Sequence, residues 1–173
     1  MLLVEQLQAR CHDRAAFACG EPILDAYLQQ RAIQHHRDGI STTHVLVETT
    51  EPSRILGYYT LSAAQLLLTD LQEADRKRMP AYPVPAIRMG RLAVSLHAQR
   101  SGHGGHLLAH AVARALALRE QLGVRVVLVD ALHEKAAGFY RAFGFEARGE
   151  LFDIPGIGPH YLMSRPVEPW SCP

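Results

Sequence analysis

Apolar residues recur along the chain at two different periods, and the switches between them mark out its elements. Leu24, Tyr27, Leu28 and Ala32 fall at i, i+3, i+4 and i+8, with Gln29, Gln30 and Arg31 between them, which predicts an amphipathic helix over Glu21–His36 ended by Gly39. Thr43–Glu48 and Ile55–Leu61 are rich in β-branched and aromatic residues and are separated by Glu51, Pro52 and Ser53, the pattern of an antiparallel hairpin. Pro80, Pro83 and Pro85 then mark a loop, and Ala86–Val94 reads as the next strand. Leu107, Leu108, Ala111, Val112, Ala115 and Leu118 form one stripe of a long helix over Gly104–Gln121, with Gly123 as its stop. The nearly continuous apolar run Val124–Ala131 predicts a strand covered on both faces, and His133–Phe143 a short helix closed by Gly144. Phe145–Glu150 and His160–Pro166 supply a final strand pair around a loop at Pro155–Pro159. This order predicts an α/β fold with a mixed sheet, as one domain over 1–173 with no linker or internal repeat.

Composition narrows the picture by exclusion. With 48% hydrophobic and 20% charged residues, the 173-residue chain is neither a disordered segment nor a coiled coil. No apolar run approaches the roughly 20 residues of a membrane span. Glu5, Gln6 and Gln8 stand where a secretory leader would be apolar, so a cytoplasmic protein without membrane attachment is expected. Cys11, Cys19 and Cys172 lack the spacing of a zinc or redox site and argue against a disulfide framework.

The net charge of +1 conceals an asymmetry. From Arg76 to Arg119 there is no acid, while Arg76, Lys77, Arg78, Arg88, Arg91, Arg100, Arg114 and Arg119 provide eight cations; the other 129 residues carry ten cations against seventeen acids. Such a stretch concentrates anionic ligands, from a nucleotide cofactor to a nucleic-acid backbone, or else serves as a solubilising surface balanced by acidic neighbours.

The candidate chemistry lies where the strand Ile87–Val94 passes through Ser95–Ser101 into Gly102-His103-Gly104-Gly105 at the start of the long helix. Glycines let backbone N–H groups approach a ligand, and the first turn of a helix offers unpaired donors and a dipole that favours negative charge. A pyrophosphate fits that description, as does a plain tight connection. The segment is not a Walker loop, and His106 and Leu107 stand where a dinucleotide fingerprint needs its third glycine.

Gln99-x-x-Gly102-x-Gly104, following Arg91-Leu92-Ala93-Val94, resembles the acetyl-CoA signature of the GCN5-related N-acetyltransferases. The resemblance runs over almost the whole chain and is closest to the acetyltransferase toxins of bacterial toxin–antitoxin pairs. It is carried further by Phe17-x-Cys19-Gly20, Leu24-Asp25-x-Tyr27-Leu28, Gly57-Tyr58-Tyr59-Thr60-Leu61, Pro83-x-Pro85, Gly90-Arg91, Val129-Asp130-Ala131 and Phe139-Tyr140-Arg141-Ala142-Phe143-Gly144-Phe145. It implies a mixed central sheet flanked by helices, with acetyl-CoA in a cleft where the parallel strands Ile87–Val94 and Val124–Ala131 splay apart. Leu92, Ala93 and Val94 would then hold the pantetheine arm and acetyl carbonyl, and Gln99, Arg100, Gly102, His103, Gly104 and Gly105 the pyrophosphate, with Phe143 also lining the cofactor site. Tyr140 falls at the family's position for the acid that protonates the departing thiolate, a task a phenol suits because it stays protonated at neutral pH.

The toxin branch further implies an aminoacyl-tRNA substrate, with Arg76, Lys77, Arg78, Arg88 and Arg91 contacting phosphates. It implies a cognate antitoxin, of ribbon-helix-helix type, and a homodimer. Two alternatives stay open: an acetyltransferase acting on a small-molecule or protein amine, and a non-catalytic acetyl-CoA-binding module. No general base stands out. Glu48 is a candidate by strand position only, and the α-amine of an aminoacyl ester is acidic enough to lose its proton to water. His103, His106 and His110 recur on one helix, but with no Cys, Asp or Glu beside them they read as a polar outer face, and no metal is expected. Ser95, Ser101 and Cys19 lack the neighbours of a hydrolase nucleophile.

Overall fold

The apolar stripe of the long helix closes against the sheet as its period requires: Leu107, Leu108, Ala111, Val112 and Ala115 are all buried within α4 (His103–Leu122). The computed structural model describes residues 1–67, 73–77, 80–147, 152–154 and 158–166. Their contacts group into two units, Met1–Ser62 with Gly90–Ala111 and Ala63–Met89 with Val112–Pro173.

In the first unit, β1 (Leu2–Gln6) pairs antiparallel with β2 (Thr42–Glu48), and β2 with β3 (Gly57–Leu66), in registers running through Val4↔Leu46 and His44↔Tyr59. The predicted hairpin is therefore present, but its second strand starts at Gly57 rather than Ile55 and continues to Leu66. The end of β4 (Val84–Val94) lies beside β3. The helix predicted over Glu21–His36 is two helices, α1 (Pro22–Gln30) and α2 (Ala32–Arg37), because the backbone turns off the helical path at Arg31 (φ −117°). The unforeseen strand β1 has half-exposed apolar positions and polar residues at Glu5 and Gln6, so no clean alternation announces an edge strand.

In the second unit β4 and β5 (Val126–Ala131) are parallel from Ala86↔Val126 to Met89↔Val129, and both continue past that register. The antiparallel partner of β5 is β8 (Gly158–Pro166), which also pairs with the short β6 (Glu146–Ala147) and β7 (Phe152–Ile154). Helix α5 (Glu134–Ala142) is one residue shorter at each end than the predicted span, with His133 capping it through Nδ1. Three readings shift here. Pro85 lies inside β4, where its carbonyl accepts from the Arg125 N–H at 3.0 Å, so the proline loop ends earlier than its residues suggest. Pro159 belongs to β8, while residues 155–157 lie outside the described residues, as do 148–150 of the strand predicted over Phe145–Glu150. Glu73–Arg76 forms a short helix, α3, that polar composition had masked.

The mixed sheet, with its central parallel pair between antiparallel strands and its flanking helices, is the expected architecture. Among the described residues no helix is long and apolar enough to cross a membrane.

Candidate active site

The glycine-rich segment has the shape its composition calls for. Arg100 (φ 64°) and Gly102 (φ 78°) both adopt left-handed backbone, which turns the chain sharply into α4. The first helical bond runs from the His106 N–H to the Gly102 carbonyl. The N–H groups of His103, Gly104 and Gly105 thus sit in the helix's first turn, with no acid there to compete for them. His103, Gly104 and Gly105 are half-buried, and Arg100 is exposed at the rim.

Gln99 braces this segment through its side chain. Its Nε2 donates to the Cys19 carbonyl at 2.9 Å and to the Val94 carbonyl at 3.1 Å, so the side chain ties the loop to the end of β4 and to the segment before α1. The Ser95 N–H donates to Leu56 at 2.8 Å, and the Ala93 carbonyl faces Gly57 of β3. By strand alternation the backbone groups of Leu92 and Val94 therefore face the opposite edge, beyond the last parallel pair at Met89. A row of donors leading into a helix N-terminus is what a pantetheine and pyrophosphate need.

Around this loop the first unit is braced by aromatic residues. The Tyr58 hydroxyl donates to the Leu24 carbonyl at 2.7 Å, and burial pushes its pKa up against the opposing pull of Arg91. Arg91 lies 3.6 Å from the Tyr27 ring centroid, a cation–π contact that pins its guanidinium over α1. The Tyr59 hydroxyl is 2.8 Å from His110 Nδ1, and His44 stacks on Tyr59 at 5.0 Å, so His110 is engaged with the sheet instead of with His103 and His106. Among the described residues no three His, Cys, Asp or Glu side chains are grouped to hold a metal. Cys19 is buried, with its thiol pKa pushed up to about 12 by desolvation and the hydrogen bond to Asp25, the reverse of an activated nucleophile. Glu48 is exposed and lines a polar cavity of about 210 Å³ with Arg54, Ser95, His97, Ser101 and His103.

Tyr140 belongs to the second unit. It is 5% exposed on α5, its ring 5.3 Å from Phe139 and 5.6 Å from Phe145. Burial first, and the charge of Asp130 second, raise its pKa above the ordinary phenol value, so it holds its proton throughout the physiological range. Phe143 caps α5 and packs 5.0 Å from Phe139. Of the basic residues singled out in the sequence, Arg76 and Lys77 are exposed at α3, and Arg78 lies outside the described residues. Arg88 is paired with Asp130 at 3.5 Å. In the sequence Asp130 stands out only as part of the Val129-Asp130-Ala131 motif. Its signal was available in the sequence, since it is the one charged residue of β5.

A strand of a mixed sheet that runs through a glycine-rich turn into a helix N-terminus offers backbone N–H groups to an anionic ligand. The acetyltransferase (GNAT) domain family matches residues 41–147, and the chain belongs to that family. It is 40% identical over 134 residues to a tRNA-acetylating toxin of Mycobacterium tuberculosis (strain ATCC 25618 / H37Rv), covering 78% of each chain. Among solved structures it is similar to a tyrosine-to-phenylalanine mutant of KacT (28% identity, TM-score 0.83, 96% of this chain and 95% of that one). It is also similar to AtaT complexed with acetyl-methionyl-tRNAfMet (28% identity, TM-score 0.79, 93% and 94%). A mutant AtaT toxin has been solved with the C-terminus of the antitoxin AtaR and acetyl-CoA (27% identity, TM-score 0.77, 96% and 93%).

Proposed function

We propose that this chain is a single-domain, cytoplasmic toxin over residues 1–173 that acetylates the α-amino group of aminoacyl-tRNA and so blocks translation, with a cognate antitoxin holding it silent. The observation that carries the reading is the 40% identity to a tRNA-acetylating toxin over 78% of both chains. Acetyl-CoA supplies the activated acetyl thioester. The N–H groups of Gly102, His103, Gly104 and Gly105 bind its pyrophosphate, with Arg100 adding charge at the rim. The N–H groups of Leu92 and Val94 hold the arm and polarise the acetyl carbonyl, and Ala93 fixes the strand between them. Gln99 contributes by holding the loop in shape, and Phe143 by contacting the cofactor. Tyr140 donates the proton to the departing sulfur. No residue needs to act as a strong base, because the acceptor amine of an aminoacyl ester is largely neutral near pH 8 and water suffices.

Arg76, Lys77, Arg78 and Arg91 form the phosphate-binding set, while Arg88 is given other work by its pairing with Asp130. The antitoxin is of ribbon-helix-helix type and the toxin works as a homodimer; the AtaT–AtaR complex supports an antitoxin partner.

The deciding experiment incubates purified protein with labelled acetyl-CoA and total charged tRNA, beside deacylated tRNA, free amines and peptides. Label entering charged tRNA alone is expected. Label entering only an amine or peptide overturns the toxin reading and leaves a general acetyltransferase. Two further outcomes follow from the residues. Four phosphate contacts predict that charged-tRNA affinity falls by about 50- to 150-fold between about 50 and 200 mM salt, and a flat salt titration contradicts them. Gly102→Ala has open space for its Cβ but keeps φ at 78°, so the strain falls on the loop. Calorimetric titration should show acetyl-CoA binding weakened by about fivefold, equivalent to about 1 kcal/mol, in a folded protein.

A further inference from the structure

Alternation along β3 sorts the helices of the first unit onto two faces of the sheet. The Tyr59 hydroxyl lies 2.8 Å from His110 of α4, whereas Tyr58 turns the other way and donates to the Leu24 carbonyl of α1 at 2.7 Å. Arg91 of the neighbouring β4 places its guanidinium 3.6 Å from the centroid of the Tyr27 ring, so its side chain lies on the α1 face, away from the helix that the glycine-rich loop feeds.

The Tyr27 ring is a fixed seat. It stacks on Tyr58 at 6.4 Å with 15° between the planes, meets His35 of α2 edge-on at 5.4 Å, and has its hydroxyl 2.9 Å from Ser41 Oγ. Packed on those sides and 4% exposed, it has nowhere to turn. Arg91 is half-buried on this seat, and among the described residues no carboxylate pairs with it. Asp25, the acid of α1, accepts the Cys19 N–H at 2.9 Å instead. A ring face attracts a cation without neutralising it, so the N–H groups at the edge of the guanidinium keep their full claim on an anion. The other described cations of the acid-free stretch are exposed, apart from Arg88, which Asp130 neutralises. Arg91 is thus the aimed cation of the set. It immediately precedes Leu92 on β4, so an anion held there lies within one side-chain length of the backbone that receives the acetyl group. In an aminoacyl ester of tRNA, the phosphate nearest the acceptor amine is the one on the 5′ oxygen of the same terminal nucleoside.

We propose that Tyr27 is a positioning residue that aims Arg91 at that phosphate, so that the site selects a phosphorylated nucleoside ester over other amines. The proposal rests on the aminoacyl-tRNA reading and adds the group by which the acceptor is chosen. A planar guanidinium held flat on a ring presents its donors in one direction, which suits a phosphate bound through two oxygens.

The test compares kcat/KM for acetyl transfer to charged tRNA, to a 3′-aminoacyl adenosine 5′-phosphate, to the same ester without its phosphate, and to the free amino acid. Wild type should prefer the phosphorylated ester over the unphosphorylated one by about 10- to 100-fold, and Arg91→Gln should remove most of that preference. With charged tRNA, Arg91→Gln should also reduce the slope of log affinity against log salt by about 0.7, the share of one single-strand phosphate. Tyr27→Leu should cut the preference by about three- to tenfold although the guanidinium is still present, and Tyr27→Phe, which keeps the ring, should restore it. Tyr27→Leu combined with Arg91→Gln should lose no more than Arg91→Gln alone. Calorimetric acetyl-CoA affinity that falls in step with the preference would make the pair a prop of β4 and overturn the proposal. So would a preference that survives Arg91→Gln, a result that decides the matter even where Tyr27→Leu fails to fold. A loss confined to the free amino acid is the mark of a carboxylate site and overturns it as well. Wild-type protein that acetylates none of the esters overturns the proposed function itself; wild-type protein that acetylates both nucleoside esters equally overturns only the selection by phosphate.

Discussion

Tyr140→Phe should slow acetyl transfer by about 10²- to 10⁴-fold while leaving acetyl-CoA affinity nearly unchanged. The ring sits between Phe139 and Phe145, at 5.3 and 5.6 Å, and phenylalanine refills that space atom for atom except for the hydroxyl. Packing is therefore preserved, and the loss is confined to the proton. A phenol whose pKa is raised by burial is fully protonated at neutral pH, so it can serve every turnover, and its removal leaves the thiolate to depart without help. Stopped-flow or radiolabel turnover beside calorimetric binding separates the two quantities. Turnover equal to wild type would exclude Tyr140 as the acid, whereas loss of binding in step with turnover would recast it as a residue of the binding pocket.

The second large effect is expected at Gly57, the first residue of β3. A Cβ there would stand 2.8 Å from the Ala93 carbonyl oxygen and 2.8 Å from Leu107 Cδ1. Leu107 can change rotamer, although it is fully buried, but the Ala93 carbonyl is backbone of β4, which leads into the glycine-rich loop. Any side chain at position 57 must push β3 away from β4 or displace Leu107 into packed surroundings. Gly57→Ala should destabilise the protein by about 1–3 kcal/mol and lower its melting temperature by several degrees, with Gly57→Val worse. Because Leu92 and Val94 flank Ala93, the same shift should raise the KM for acetyl-CoA in whatever fraction remains folded. Thermal unfolding with unchanged melting temperature for both variants would show that the strands open at this point without cost.

Salt dependence and loop strain are smaller effects, but they test separate parts of the same reading. The basic stretch illustrates why a sequence pattern and its three-dimensional outcome diverge. All its cations carry the same formal charge, yet Arg91 lies over the Tyr27 ring with its charge unneutralised, Arg88 pairs with Asp130, and Arg76 and Lys77 stand exposed. Charge per residue is additive along the chain; availability depends on which opposing group the fold brings alongside.

What the chain determined locally is the set of features whose cause lies within a few residues. The stripe from Leu107 to Ala115 prescribes the buried face of α4, the apolar run of β5 prescribes a covered strand, and Gly102 before a long helix prescribes a turn with open N–H groups. The motif from Gln99 to Gly104 was legible for the same reason. Tertiary structure alone decided the rest. Gln99 is held by Cys19, 80 residues away in sequence; His110 meets Tyr59; and Asp130 acquires Arg88 because the parallel register slides those two strands past each other by a particular amount. Periodicity reports which way a side chain faces, through the geometry of its own helix or strand. It carries no information about which distant polar group will lie opposite, since that is set by register and packing over the whole core.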